Sequence, residues 1–292
     1  MSDQENDQPQ VDSPAPIRHT KKIEGKSPTG FFPGFEIKYP EYELITPQTL
    51  QSYTVRSLTV EEEEVLKGSV QTPRKLPEHL NSILWKMIVK KPADIQTYSD
   101  FLNMVTLKDR DAMVYALYHI TYKDIHNYDI TCGACGKQFP VSLSIDKAFS
   151  IKGYTGDPNE ILQKKIEVEL PSVDNVVAVI RAPTLIHEQE MLADIMFQTD
   201  KHLELGSEIL IIDKFVITKS DGKTEDIYER DNIFRSYSSL PSQDRKLITK
   251  KYIEEFGQFG IDLKVKASCI SCGNDTDIDL DLVHQLFRAI YE

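Results

Sequence analysis

The stretch ITCGACGKQF, residues 130–139, holds two of the chain's four cysteines, and the other two lie in ASCISCGNDT, residues 267–276. A CxxC spacing places two thiols on one tight turn, and the glycine after each pair, Gly136 and Gly273, lets backbone amides approach the sulfurs without a Cβ in the way. Laid over each other, Cys132, Cys135 and Gly136 match Cys269, Cys272 and Gly273 at a constant offset of 137. The register continues as Val141, Leu143 and Ile145 fall on Ile278, Leu280 and Leu282, the alternation of a half-buried strand. An apolar helical segment is expected after each, DKAFSI at 146–151 and VHQLFRAIY at 283–291.

Upstream, LKDRDAMVYALYHITY (107–122) meets PSQDRKLITKKYIEEFGQFG (241–260), with Asp109-Arg110 over Asp244-Arg245. Both read as amphipathic helices, with Met113, Leu117 and Ile120 and then Ile248, Tyr252 and Phe256 recurring about one turn apart, and with Thr106 and Ser242 as N-caps. Further upstream, YTVRSLTVEEEEVL (53–66) resembles AVIRAPTLIHEQEML (178–192), which brings Arg56 over Arg181 and Thr59 over Thr184. Each reads as a strand entering an N-capped helix with acidic residues in its first turn, where the helix dipole favours them.

Three matched blocks in one order imply an α+β fold built by tandem duplication, with a first repeat at 31–150, a connector at 151–163 and a second repeat at 164–292. The offset drifts from 125 to 135 to 137, so the second copy has gained residues. The expected place is EILIIDKFVITKSDGKTEDIYE, where Asp221-Gly222 marks a turn between two strand-like runs; the first-copy counterpart, NSILWKMIVKKPADIQTY, is shorter and broken by Pro92. Residues 1–30, rich in Asp, Gln, Ser and Pro, read as a disordered tail.

The duplication explains why the cysteine pairs stand so far apart. One CxxC turn supplies two ligands, whereas structural zinc takes four in a tetrahedron, so Cys132, Cys135, Cys269 and Cys272 together would form one closed site fastening copy to copy. Free or redox thiols and disulfides are the other readings of the same spacing; zinc ribbons normally keep their two pairs within about 15–20 residues. A thioredoxin-like reading fits poorly, because strand-like residues flank both turns. Four thiolates leave no open position for a catalytic water. His284 reads as a partly exposed helix residue, His187 and the Glu61–Glu64 run as solvated helix faces, and Trp85 as core beside Met87 and Ile88.

Composition narrows the classes further. With 40% hydrophobic and 27% charged residues the chain is globular in character, and its longest apolar runs fall far short of the ~20 residues of a membrane span. The N-terminal stretch lacks the pattern of a secretory signal, which points to a reducing compartment. A net charge of −12 argues against a general nucleic-acid surface, and Asp275, Asp277, Asp279 and Asp281 around the second turn point to protein partners. Phosphate-cradling, dinucleotide and nucleophile-elbow motifs are missing, so no enzyme and no small-molecule substrate are expected.

The order VRSLTVEEEE, a DR-opened helix, then a C..CG turn with an alternating strand, resembles the baseplate hub assembly proteins of T-even-like contractile-tailed bacteriophages. The second copy, with SDGKTEDIY, LPSQDR, FGIDLKVKASCISCG and IDLDLVHQLF, looks closest, and the resemblance covers roughly residues 31–292. A departure is that GFEIKYPEYELITP stands where the first unit would open with a strong LPS.G. The resemblance implies a non-enzymatic part in building the tail hub, other hub or tail proteins as partners, and residence in the host cytoplasm during assembly and in the virion baseplate. A cellular zinc-ribbon protein of transcription or RNA handling is the alternative, but the basic stripe it would need is not seen near either cysteine pair.

Overall fold

The computed structural model describes residues 37–70, 73–122, 126–143, 150–194, 206, 208–262, 264–279 and 286. The expected tail at 1–30, His284 and most of the expected C-terminal helix lie outside them.

The chain opens with β1 (Glu41–Ile45) and β2 (Ser52–Arg56), paired antiparallel with Tyr42 opposite Val55 and Leu44 opposite Tyr53. Helix α1 (Val60–Val70) follows, then α2 (Leu76–Met87), whose end runs into β3 (Ile88–Lys90) on the far side of β2. Helices α3 (Tyr98–Met104) and α4 (Leu107–Thr121) complete this part. Alternation along β1 buries Tyr42 and Leu44, and Tyr53 and Val55 of β2 join them against α4 and α2, with Thr54 between them buried as well. Two of the caps expected of the threonines form here: the Glu62 N–H donates to Thr59 Oγ1 at 3.3 Å and the Asp109 N–H to Thr106 Oγ1 at 3.1 Å.

Next comes a hairpin of β4 (His126–Thr131) and β5 (Gln138–Leu143), the first CxxC turn between them. Ser150 and Ile151, expected in a helix, instead lie in β6 (Ser150–Lys152), because its backbone finds a partner in a strand from far along the chain; residues 144–149 lie outside the described residues. The segment after β6 is more than a spacer, since Tyr154 N–H donates to Pro47 O at 2.7 Å and Ile161 is fully buried.

A second sheet follows in the order β10-β9-β8-β7, all antiparallel, from β7 (Ile166–Glu169), β8 (Val176–Ile180), β9 (Ile212–Thr218) and β10 (Thr224–Ile227). The Asp221-Gly222 turn joins β9 to β10 as its sequence demands, with Gly222 at φ 78°. Helix α5 (Leu185–Ala193) leaves β8; α6 (Arg230–Ser239) and α7 (Ser242–Tyr252) follow β10, and α7 runs on into a π turn at Ile253–Gly257. Ser242 is not the cap of α7: Asp244 N–H already bonds Pro241 O at 3.1 Å, so Pro241 holds the cap position and Ser242 is the first helical residue. β11 (Gly260–Asp262) pairs with β6, and β12 (Lys264–Ser268) with β13 (Asp275–Asp279) encloses the second CxxC turn.

The two parts are clasped at several places. Val105 O accepts from Leu185 N–H at 3.1 Å and Pro183 O from Leu107 N–H at 3.0 Å, a short antiparallel bridge of Thr106 with Thr184. Arg110 and Glu188 form a two-pronged ion pair, Nη2 to Oε1 at 3.1 Å. Gln48 Nε2 donates to Phe256 O at 2.8 Å. Helix α4 sits at the middle, buried around most of its circumference rather than along one stripe, because β1 and β2 cover one side and β11 another.

Candidate metal centre

The two CxxC turns have the same backbone. In the first, Cys132 N–H donates to Lys137 O at 3.0 Å and Gly136 N–H to Cys132 O at 2.9 Å; in the second, Cys269 N–H donates to Asn274 O at 2.9 Å and Gly273 N–H to Cys269 O at 2.8 Å. Gly136 at φ 69° and Gly273 at φ 72° take the left-handed conformation that closes each turn. The flanking strand pairs coincide too: Ile130 faces Phe139 and Thr131 faces Gln138, while Ala267 faces Thr276 and Ser268 faces Asp275, each at the offset of 137.

The turns meet. All four sulfurs lie within 4.8 Å of one another, with Cys132 Sγ 3.7 Å from Cys272 Sγ and Cys135 Sγ 3.8 Å from Cys269 Sγ. Disulfide sulfurs would be about 2.05 Å apart, so these are free thiols. Four sulfurs at ~2.3 Å from a central ion in a tetrahedron are about 3.8 Å apart, and the closest cross-turn distances match that spacing. Cys132 and Cys269 are buried, and Cys135 and Cys272 are exposed. Phe139 and Ala267 pack beneath the buried pair, with Ile130, Val141 and Ile278 around them, a small apolar cluster separate from the two sheet cores.

The electrostatics of the cluster favour a cation. Backbone amides of Cys135 and Ala134 aimed at its sulfur pull the Cys132 thiol down to about 6, and those of Ser271 and Cys272 pull Cys269 down. At Cys272 the Asn274 amide also pulls down, but the neighbouring sulfurs outweigh it and push the thiol up to about 12. Four thiolates cannot share this space without a positive charge among them. These residues could hold a metal ion, and all four come from the cysteines that the spacing singled out.

Of the remaining candidates, the Glu61–Glu64 run and His187 are placed differently from expectation, and Trp85 packs against the core. The Glu61–Glu64 run is only half solvated, since Glu62 is gripped by Arg56 and Glu63 accepts from Tyr122 Oη at 2.7 Å. His187 is not on a solvated face: its Nδ1 accepts the Thr184 N–H at 3.0 Å, and burial followed by the charges of Arg181, Arg230 and Lys165 pushes it down to about 4. Trp85 is partly buried at the edge of the core, beside Phe101 and under Lys91 Nζ at 4.2 Å from the ring. Residue types alone gave no role to Asp109, which is fully buried and accepts from Gln48 N–H at 2.8 Å and Thr49 Oγ1 at 2.8 Å; its match with Asp244 in the two Asp-Arg pairs was the available signal.

Among the described residues no helix is long and apolar enough to cross a membrane. No curated protein and no solved structure matches the chain. A family model does, that of the T4 bacteriophage base plate protein, over residues 39–288. That span takes in both sheets, the clasp between them and all four cysteines, and the chain therefore belongs to the T4 bacteriophage base plate protein family.

Proposed function

We propose that this protein is a non-enzymatic component or assembly factor of the baseplate hub, working in the host cytoplasm during tail assembly, with other hub or tail proteins as partners. The observation that carries the reading is the family match over 39–288, joined to a four-thiol cluster drawn equally from two distant turns. In this reading the chain is a tandem duplication. Residues 41–143 run through two paired strands, helices, a third strand, two helices and a CxxC hairpin, and residues 166–279 follow a parallel course with β10 and β11 added. The ion is zinc, because an all-thiolate tetrahedral set suits it, and its role is structural since no ligand position stays open.

The test is genetic. A phage lacking this gene should yield heads and baseplate wedge precursors by electron microscopy of the lysate, but no complete hub and no functional tail. Normal tails from the deletion would refute the assembly role. For the metal, protein purified without added zinc should carry one equivalent, lost in Cys269→Ser.

A further inference from the structure

In the first half, Arg56 at the end of β2 grips Glu62 in α1, Nη1 to Oε2 at 2.9 Å and Nη2 to Oε1 at 2.6 Å. The same carboxylate accepts the Thr59 N–H at 2.9 Å, so strand end, helix cap and guanidinium close on one another. The offset of 125 places Arg181 on Arg56, Thr184 on Thr59 and His187 on Glu62. The local structure follows that register, with Arg181 directly after β8 and Thr184 capping α5. The carboxylate, however, has become an imidazole.

That exchange leaves Arg181 without its partner. The one accepting nitrogen of a neutral His187 is taken by Thr184 N–H, so Arg181 turns to Asp213, Nη1 to Oδ1 at 2.9 Å, an oxygen that Lys165 Nζ also holds at 2.6 Å. Arg181 Nε is buried with no hydrogen-bond partner among the described residues. A second arginine has arrived: Arg230, first residue of α6, donates to His187 O at 3.0 Å and to Glu190 Oε2 at 2.8 Å. Both guanidiniums line a cavity of about 290 Å³, with Asp213 and Glu190 and with Met191, Ile212 and Ile233. Asp213 is also held by Lys165 from outside the lining, and Glu190 is half exposed.

We propose that this cavity is a carboxylate-binding site, and that an Asp or Glu side chain of a partner protein seats against Arg181 and Arg230 beside His187, as Glu62 does against Arg56 in the first half. A planar acid matches the two-pronged donor geometry of arginine. The proposal rests on the residue register between the halves and not on the hub role, so each can fail without the other.

The experiment uses the full chain and sodium glutarate, which carries the end of a glutamate side chain, against sodium chloride at equal ionic strength and against inorganic phosphate. The expected result is saturable binding by calorimetry, with a matching shift of the histidine ring resonance that disappears in His187→Gln. His187→Glu restores the carboxylate in cis; it should raise Tm by about 2–4 °C and abolish the glutarate response. Arg230→Gln should weaken glutarate binding about tenfold or more. No response beyond that of chloride overturns the proposal, and so does phosphate binding without glutarate binding or an undiminished response in His187→Glu. Should His187→Glu fail to fold, unchanged binding in Arg230→Gln is equally decisive against it.

Discussion

Asp109 shows how much one buried side chain can hold. It lies in the first turn of α4 and reaches back 60 residues to the turn between β1 and β2, where it takes two backbone amides and a hydroxyl. Replacing it with Ala strands those donors in the core, at about 1–3 kcal/mol for each one left unpaired. We expect Asp109→Ala to lose at least about 3 kcal/mol by urea unfolding, and Asp109→Asn less. Burial outweighs these hydrogen bonds and pushes the carboxyl up to about 6 from its ordinary 3.8. A raised acid stabilises the fold fully below its unfolded pKa, and that contribution is lost as pH rises through 6. Urea midpoints between pH 4 and 7 should therefore carry a dependence that Asp109→Asn flattens. Asp244, at the matching place in the second half, is equally buried, and its carboxylate has no hydrogen-bond partner among the described residues.

At the scale of elements, the CxxC turns separate backbone need from space. A Cβ at Gly133, Gly136 or Gly273 would meet nothing within 4 Å, but Gly136 and Gly273 have positive φ and Gly133 does not. Gly136→Ala and Gly273→Ala should each cost about 1–2 kcal/mol of metal-loaded stability from strain alone, with Gly133→Ala near neutral. Equal effects at all three would contradict this account. What the sequence made legible has the same logic. Glycine, the cysteine spacing and the alternation around it have local causes, so both hairpins, the Asp221-Gly222 turn and the caps at Thr59 and Thr106 could be read from residues. Ser150 and Ile151 could not, since their strand exists only because β11 arrives from more than 100 residues away. Nor could the grip of Arg56 on Glu62, because four consecutive glutamates look alike until a strand end is placed beside one of them.

For the whole molecule, the four-cysteine cluster and the clasp are separate fasteners. The sulfur cluster sits on its own small apolar base, while the Thr106–Thr184 bridge, the Arg110–Glu188 pair and the Gln48–Phe256 bond join the two large cores. Chelation should therefore free the two hairpins and leave both cores folded. Limited proteolysis after metal removal should cut within 130–139 and 264–279 first, and Cys272→Ser should do the same without chelator. Collapse of the whole chain on chelation would show that the clasp is too weak to stand by itself. Metal loading should also release protons, as the upward-shifted thiol of Cys272 must give up its own.

The separation of Cys135 from Cys269 by 134 positions has a consequence in time as well as in space. A ribosome adding about 5–20 residues per second finishes the first pair roughly 7 to 27 s before the second begins to appear. Through that interval the nascent chain offers two thiols on a finished turn with no companion pair. Only a chain translated past Cys272 can complete the set, so chains terminated before that residue never close the centre.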